Sequence, residues 1–219
     1  MDLNITWRKA EEVTHGTLLQ GNLGAAIKGI STDTRRIRPG DAFLALKGER
    51  FDGNDYQLQA AEQGAAGFIV LRRSNRVPVD VPVLRVPDTT MALQDIAAYH
   101  RSLFKLKIAA VAGTNGKTTT KQILAAICAA AGPTVSSAGN LNNQYGLPLS
   151  LLEIDEAHRY GVFEMGSSRR GDVELLAKLA RPHVGVITNI GRAHMEFFGS
   201  LEASRDTELE LPETMGYEG

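Results

Sequence analysis

The stretch Ile108-Ala-Ala-Val-Ala-Gly-Thr-Asn-Gly-Lys-Thr-Thr-Thr120 decides the fold. Its apolar start, Ile108 to Ala112, reads as a buried strand, and Thr118 to Ala131 reads as a helix stopped by Gly132-Pro133. Strand, glycine loop and helix in that order are the context of a phosphate-binding loop. Glycines let the backbone wrap a phosphate, N–H groups at a helix start donate to it, and Lys117 adds a full positive charge. The Thr118 hydroxyl suits Mg²⁺. The loop is short: Gly116 follows Gly113 by three residues, and Val111 stands where the longer motif has its first glycine. A glycine-rich helix start with a solvated lysine is the plainer alternative.

Outward from this loop the same order repeats. Downstream come a strand over Tyr160 to Phe163, a helix over Asp172 to Ala180 ended before Pro182, and a strand over Val184 to Thr188. Near-continuous apolar strands between helices predict a parallel sheet covered on both faces, with ligands at the carboxyl ends of its strands. Gly113, Glu164 and Asn189 each lie just past such an end, so three polar positions converge on one sheet edge. Upstream, residues 41–103 alternate strands at 41–46, 66–71 and 81–86 with helices at 56–63 and 91–103. Pro78, Pro82 and Pro87 confine the last of these strands to an edge or a strand end. The basic joint Lys105-Leu-Lys107 marks a boundary. The expected organisation is α/β: a small N-terminal α/β domain over 1–105, part of a phosphate-loop parallel-sheet domain over 106–201, and a divergent acidic tail over 202–219.

Several other segments carry polar chemistry. Glu164, in Phe163-Glu-Met-Gly166, reads by itself as an exposed turn acid, with an Mg²⁺ ligand at the sheet edge as the alternative. Asn189 and His194, in Thr188-Asn-Ile-Gly-Arg-Ala-His194, follow the next strand, and His194 is a second metal-ligand candidate or a surface histidine. Gly139-Asn-Leu-Asn-Asn-Gln-Tyr-Gly146 is dense in amides, which suit a peptide or sugar ligand but also an ordinary turn. In the first half, Ser31-Thr-Asp-Thr-Arg35 and Lys47-Gly-Glu-Arg-Phe-Asp-Gly53 place hydroxyls, an arginine and a lysine around glycine turns. Such turns can grip a diphosphate and a nucleoside, or serve as plain polar turns.

Composition excludes more than it selects. With 24 Lys+Arg against 25 Asp+Glu over 219 residues, the chain has no general drive toward nucleic acid or an anionic membrane. The charge is uneven: six acids and one base within 202–219 make a local −5, which leaves +4 upstream against the overall −1. The lone Cys128 has no disulfide partner in the chain, and no stretch approaches the ~18 apolar residues of a membrane span. The reading is of a soluble cytoplasmic monomer.

Taken together and in order, these motifs resemble the Mur ligases, ATP-dependent amide ligases that build the peptidoglycan precursor. The segments that carry the resemblance, between Ile30 and Leu201, are Ser31–Arg35, Pro39–Phe43, Ala45–Gly53, Gly113–Thr118, Gly139–Asn143, Phe163–Gly166, Thr188–His194 and Phe198–Ser200. The Gly-Asn-x-Asn-Asn and Glu-Met-Gly segments imply the branch that joins D-alanyl-D-alanine to a UDP-N-acetylmuramoyl-tripeptide, rather than the one that adds the third amino acid. By the same resemblance Ser31, Asp33, Arg35, Lys47, Asp52 and Gly53 bind the UDP-sugar, with Asn54 where members often have histidine. Gly113, Thr114, Asn115, Gly116, Lys117, Thr118 and Thr119 bind ATP, with Asn189 on the nucleotide side and Asn142 and Asn143 on the substrate side. Thr118, Glu164 and His194 hold Mg²⁺, and Lys117, Glu164 and His194 are the implied catalytic set.

The chain departs from the family after Ala203. Members continue in a helix bearing a lysine whose carbamylated form helps hold Mg²⁺, whereas no lysine follows Lys178 here. Members are also longer. The reading therefore expects a truncated ligase that binds UDP-sugar and nucleotide without catalysing by itself.

Overall fold

The computed structural model describes residues 3, 5–48, 51–75, 77–191 and 200–216, in two compact units, Met1–His100 and Arg101–Gly219. The division falls five residues before the expected 105/106 boundary, inside helix α3 (Thr89–Ser102), whose last two residues fall in the second unit.

The first unit is built on a sheet in the order β2-β7-β6-β5-β4. Strands β4 (Gly29–Ser31), β5 (Asp41–Leu44), β6 (Gly67–Val70) and β7 (Val83–Arg85) run parallel, and β2 (Thr17–Gln20) is antiparallel to β7. A small antiparallel pair, β1 (Ile5–Thr6) and β3 (Ala26–Ile27), stands apart from it. Phe43, Phe68, Val70 and Val83 pack with Ala60 of α2 (Gln57–Glu62) into a core cluster. Helix α1 (Trp7–Thr14) starts where the Thr6 side chain accepts the Lys9 N–H. Trp7 is buried, and a Cβ at Gly67 would lie 2.2 Å from its ring, so a side chain on β6 at this position would push the indole out. The three prolines fall outside β7, which therefore keeps an interior place between β6 and β2.

In the second unit β8 (Lys107–Ala112), β9 (Thr134–Ser136), β10 (Tyr160–Glu164) and β11 (Val184–Ile187) form the expected parallel sheet in the order β11-β8-β10-β9. Register puts Glu164 opposite Val111 and Ile187 opposite Ala112, so the β8, β10 and β11 carboxyl ends lie side by side. Helices α4 (Lys117–Ala131), α5 (Gly146–Leu151) and α6 (Asp172–Ala180) pack on it.

Residues 201–214 of the acidic stretch form helix α7, capped by the Ser200 hydroxyl and packed along α6. Ser204, Thr207, Glu208 and Leu211 are buried at helical spacing, but three of the four are polar, so no apolar stripe announces the helix. The Glu210 carboxylate accepts the Gly171 N–H at 2.7 Å and the Glu174 N–H at 3.0 Å, which caps the α6 N-terminus where Gly171 offers no side chain. Residues 202–214 are thus part of the second unit, and two of the acids counted as tail charge hold it together.

Candidate active site

The phosphate loop leaves β8 at Gly113, whose φ of 119° is left-handed and whose Cβ would lie 2.3 Å from the Thr188 hydroxyl, so only glycine serves there. The loop is braced from the end of β11. Asn189 accepts the Thr114 N–H with its carbonyl at 3.0 Å and the Asn115 N–H with its side-chain oxygen at 3.1 Å. The Thr188 hydroxyl donates to the Asn115 carbonyl at 2.6 Å, and the Gly191 N–H donates to the Thr114 hydroxyl at 2.8 Å. Asn189 thus shapes the loop. Gly116, with φ 80°, turns the chain into α4, whose first residue is Lys117. The Lys117 ammonium folds back onto the carbonyls of Gly113 and Thr114 at 2.6 and 3.1 Å. Thr118 and Thr119 occupy the first turn.

Glu164 is no exposed turn acid: it is the last residue of β10 and is 2% exposed. The Thr118 hydroxyl donates to its Oε2 at 2.8 Å, and the Asn142 amide donates to its Oε1 at 2.8 Å. Its own N–H donates to the Ser137 hydroxyl at 3.0 Å. Asn142 is itself fixed, because its carbonyl accepts the Gly166 N–H at 2.7 Å. Asn143 does a local task, its side-chain oxygen accepting the N–H groups of Tyr145 and Gly146 at the start of α5. The amide-rich segment therefore divides into one residue aimed at Glu164 and one that caps a helix.

Two participants escaped the sequence reading. Lys121 is buried and its Nζ lies 3.7 Å from Glu164 Oε2. The spacing Lys117-Thr-Thr-Thr-Lys121 puts both lysines on one helix face but does not indicate that the second is buried against Glu164. Glu208 of α7 is also buried; its Oε2 accepts the Gly113 N–H at 2.7 Å and its Oε1 accepts the Ser167 hydroxyl at 2.9 Å. No sequence pattern marks it, since an acid in an acidic stretch reads as solvated. His194 lies outside the described residues, among which no cluster of three or more His, Cys, Asp and Glu side chains could hold a metal.

The first unit gathers its candidates at the carboxyl edge of its parallel strands. Ser31 ends β4, and its hydroxyl donates to the Asp33 carbonyl at 2.8 Å. The Arg35 guanidinium closes on the Asp33 carboxylate with bonds of 2.9 and 2.7 Å, which holds that carboxyl down at about 2. Lys47 follows β5 with its side chain exposed, and its backbone pairs with that of Asp52 in an isolated antiparallel β-bridge. Gly53 closes this turn; a Cβ there would meet the Leu46 carbonyl at 2.6 Å. Asp52 accepts from the Asn54 N–H and amide and from Arg72, which follows β6 and also pairs with Asp55. Asn54 in turn accepts the Leu71 N–H, so the turn after β5 is tied to the segment after β6. Arg72 is the residue that reading missed here.

Sequence profiles of known families match both units: the Mur ligase family, catalytic domain, over residues 26–101, and the Mur ligase middle domain over residues 111–219. The chain belongs to the Mur ligase family. The middle-domain match runs through the acidic stretch, whose residues 202–214 lie in helix α7. The UDP-N-acetylmuramoyl-tripeptide–D-alanyl-D-alanine ligase of Escherichia coli is 36% identical over 199 residues, which are 91% of this chain and 43% of that protein. A crystal structure of MurF from Acinetobacter baumannii superposes with a TM-score of 0.90 at 37% identity, covering 96% of this chain and 46% of that one. MurF ligase from Thermotoga maritima in complex with ADP gives a TM-score of 0.78 at 34% identity, over 86% of this chain and 43% of the other. The chain thus spans less than half the length of these Mur ligase relatives. Among the described residues no helix is long and apolar enough to cross a membrane.

Proposed function

We propose that this chain carries the UDP-sugar-binding and nucleotide-binding portions of an ATP-dependent ligase that joins D-alanyl-D-alanine to a UDP-N-acetylmuramoyl-tripeptide. The observation that carries the reading is the meeting of the Thr118 hydroxyl and the buried Glu164 carboxylate at the mouth of the glycine loop. Two hard oxygens from a helix start and a strand end are the donor set that Mg²⁺ prefers beside a nucleotide. The ADP complex of the T. maritima relative and the names of the matched ligases support it. His194 joins the set by family resemblance.

In the proposed reaction an oxygen of the tripeptide's terminal carboxylate bonds to the γ-phosphorus of ATP as the bond to ADP breaks. The amine of D-alanyl-D-alanine then attacks the acyl carbon, loses a proton and expels phosphate. Activation is needed because a carboxylate is a poor electrophile. Lys117 and the N–H groups at the start of α4 hold the transferring phosphoryl group, whose charge is spread in the transition state. Mg²⁺, when bound, neutralises phosphate charge. Asn142 keeps the Glu164 carboxylate turned toward Thr118. In the first unit, the turns after β4, β5 and β6 receive the uridine diphosphate, with Lys47 the exposed cation. Titration of the chain with UDP-N-acetylmuramoyl-tripeptide and with UDP should give saturable binding of both. Binding of neither contradicts the substrate assignment.

A further inference from the structure

Lys121 is the buried residue of α4, and the reaction above gives it no task. Its ammonium donates to the carbonyls of Ser137 at 2.9 Å and Gly139 at 2.8 Å and stands 3.7 Å from Glu164 Oε2. These acceptors belong to two different segments, the chain leaving β9 and the end of β10. The former continues to Asn142, which holds the other oxygen of the same carboxylate. Taking an ammonium and a carboxylate out of water is costly, and a well-packed apolar pair often serves a fold as well or better. A buried pair of this kind beside Thr118 therefore points to a task other than stability.

We propose that Lys121 is a positioning residue for the divalent cation. It ties the Glu164 carboxylate and the 137–142 segment to the helix that carries Thr118, so that Thr118 Oγ1 and Glu164 Oε2 already face one point. The inference rests on the reading of Thr118 and Glu164 as the Mg²⁺ pair. It makes a distinctive demand on the sign of an effect. A lysine that merely neutralised Glu164 would compete with the cation, and its removal would tighten Mg²⁺ binding; a lysine that positions Glu164 must weaken Mg²⁺ binding when removed.

The test measures the affinity of the 219-residue chain for a non-hydrolysable ATP analogue in EDTA and across a Mg²⁺ series. In Lys121→Met and Lys121→Gln the half-saturating Mg²⁺ concentration should rise about 10–100-fold, as for loss of a partner that orients a metal ligand, with affinity in EDTA unchanged. Lys121→Arg, which keeps the charge and donors, should shift it less. An unchanged or lower half-saturating Mg²⁺ in the Met and Gln variants overturns the proposal, as does a parallel loss of affinity in EDTA, the mark of a purely structural role. Should Lys121→Met fail to fold, the Gln and Arg variants decide on the same criterion. A wild-type chain that binds no nucleotide at all would overturn the nucleotide reading together with this inference, an outcome distinct from a wild-type Mg²⁺ gain that survives in the variants.

Discussion

In the first unit the charged residues of the candidate site answer one another in solvent: Arg35, 83% exposed, closes on Asp33, and Arg72, 60% exposed, closes on Asp52 and Asp55. In the second, Glu164 and Lys121 side chains are no more than 4% exposed and Glu208 is buried against the glycine loop. Exposed pairs contribute little to stability and are free to exchange partners for a ligand. Buried ones are built into the fold, so removing a buried acid that bonds the loop, as Glu208 does, disturbs the structure that holds it. Under the proposed assignment, exposed and exchangeable ion pairs serve one binding task and a buried cluster of charges serves the other.

The contrast breaks most visibly at Glu208. Glu208→Ala leaves the Gly113 N–H and the Ser167 hydroxyl without their charged acceptor and should lower the stability of the second unit by about 3 kcal/mol, read by urea unfolding. Arg35→Ala should leave the urea midpoint of the first unit nearly unmoved; an equal loss in both would erase the distinction. Lys117→Ala comes next. Its ammonium bonds only loop carbonyls at rest, so the variant should fold normally yet bind Mg²⁺ and ATP analogue about 10-fold more weakly, near 1.4 kcal/mol, by calorimetry. A smaller change is expected for Lys47→Ala in the first unit, where UDP-sugar affinity should fall by about 1 kcal/mol without a change in melting temperature. The smallest effect is electrostatic. The Asp33 carboxyl, held near 2 by Arg35, should titrate there by NMR and move back toward the ordinary carboxylate range in Arg35→Ala. Because the folded value lies below the unfolded one, the pair's contribution is present at neutral pH and is lost only as pH falls from the ordinary carboxylate range through about 2.

Legibility followed the same division between pattern and context. Helix α6 was readable from the helical spacing of its apolar residues, and strands β8 and β10 from short, near-continuous apolar runs between turn residues. The first 31 residues, with strands of two to four residues between glycines and asparagines, carry too few periods to read. Helix α7 was hidden because two hydroxyls and two carboxylates stand among its buried residues beside Leu211. In the site, the strand-end position of Glu164 was legible but its burial was not. Lys121 was not, because its burial is set by carbonyls 16 and 18 residues further along, which become neighbours only when β9 docks beside β10. Asn189 was placed on the correct edge, but its bracing of the loop depends on backbone geometry that residue type does not encode.

The pairing of Thr118 with Glu164 as a preformed Mg²⁺ and nucleotide site is the claim on which the rest depends. Its most direct test is the Mg²⁺-dependence of nucleotide affinity in the wild-type chain and in Glu164→Gln, which keeps the shape and the Thr118 and Asn142 contacts within reach but removes the charge. The wild type should bind the ATP analogue more tightly in Mg²⁺ than in EDTA, and Glu164→Gln should bind it equally in both. A Glu164→Gln chain that keeps the full Mg²⁺ gain would contradict the site.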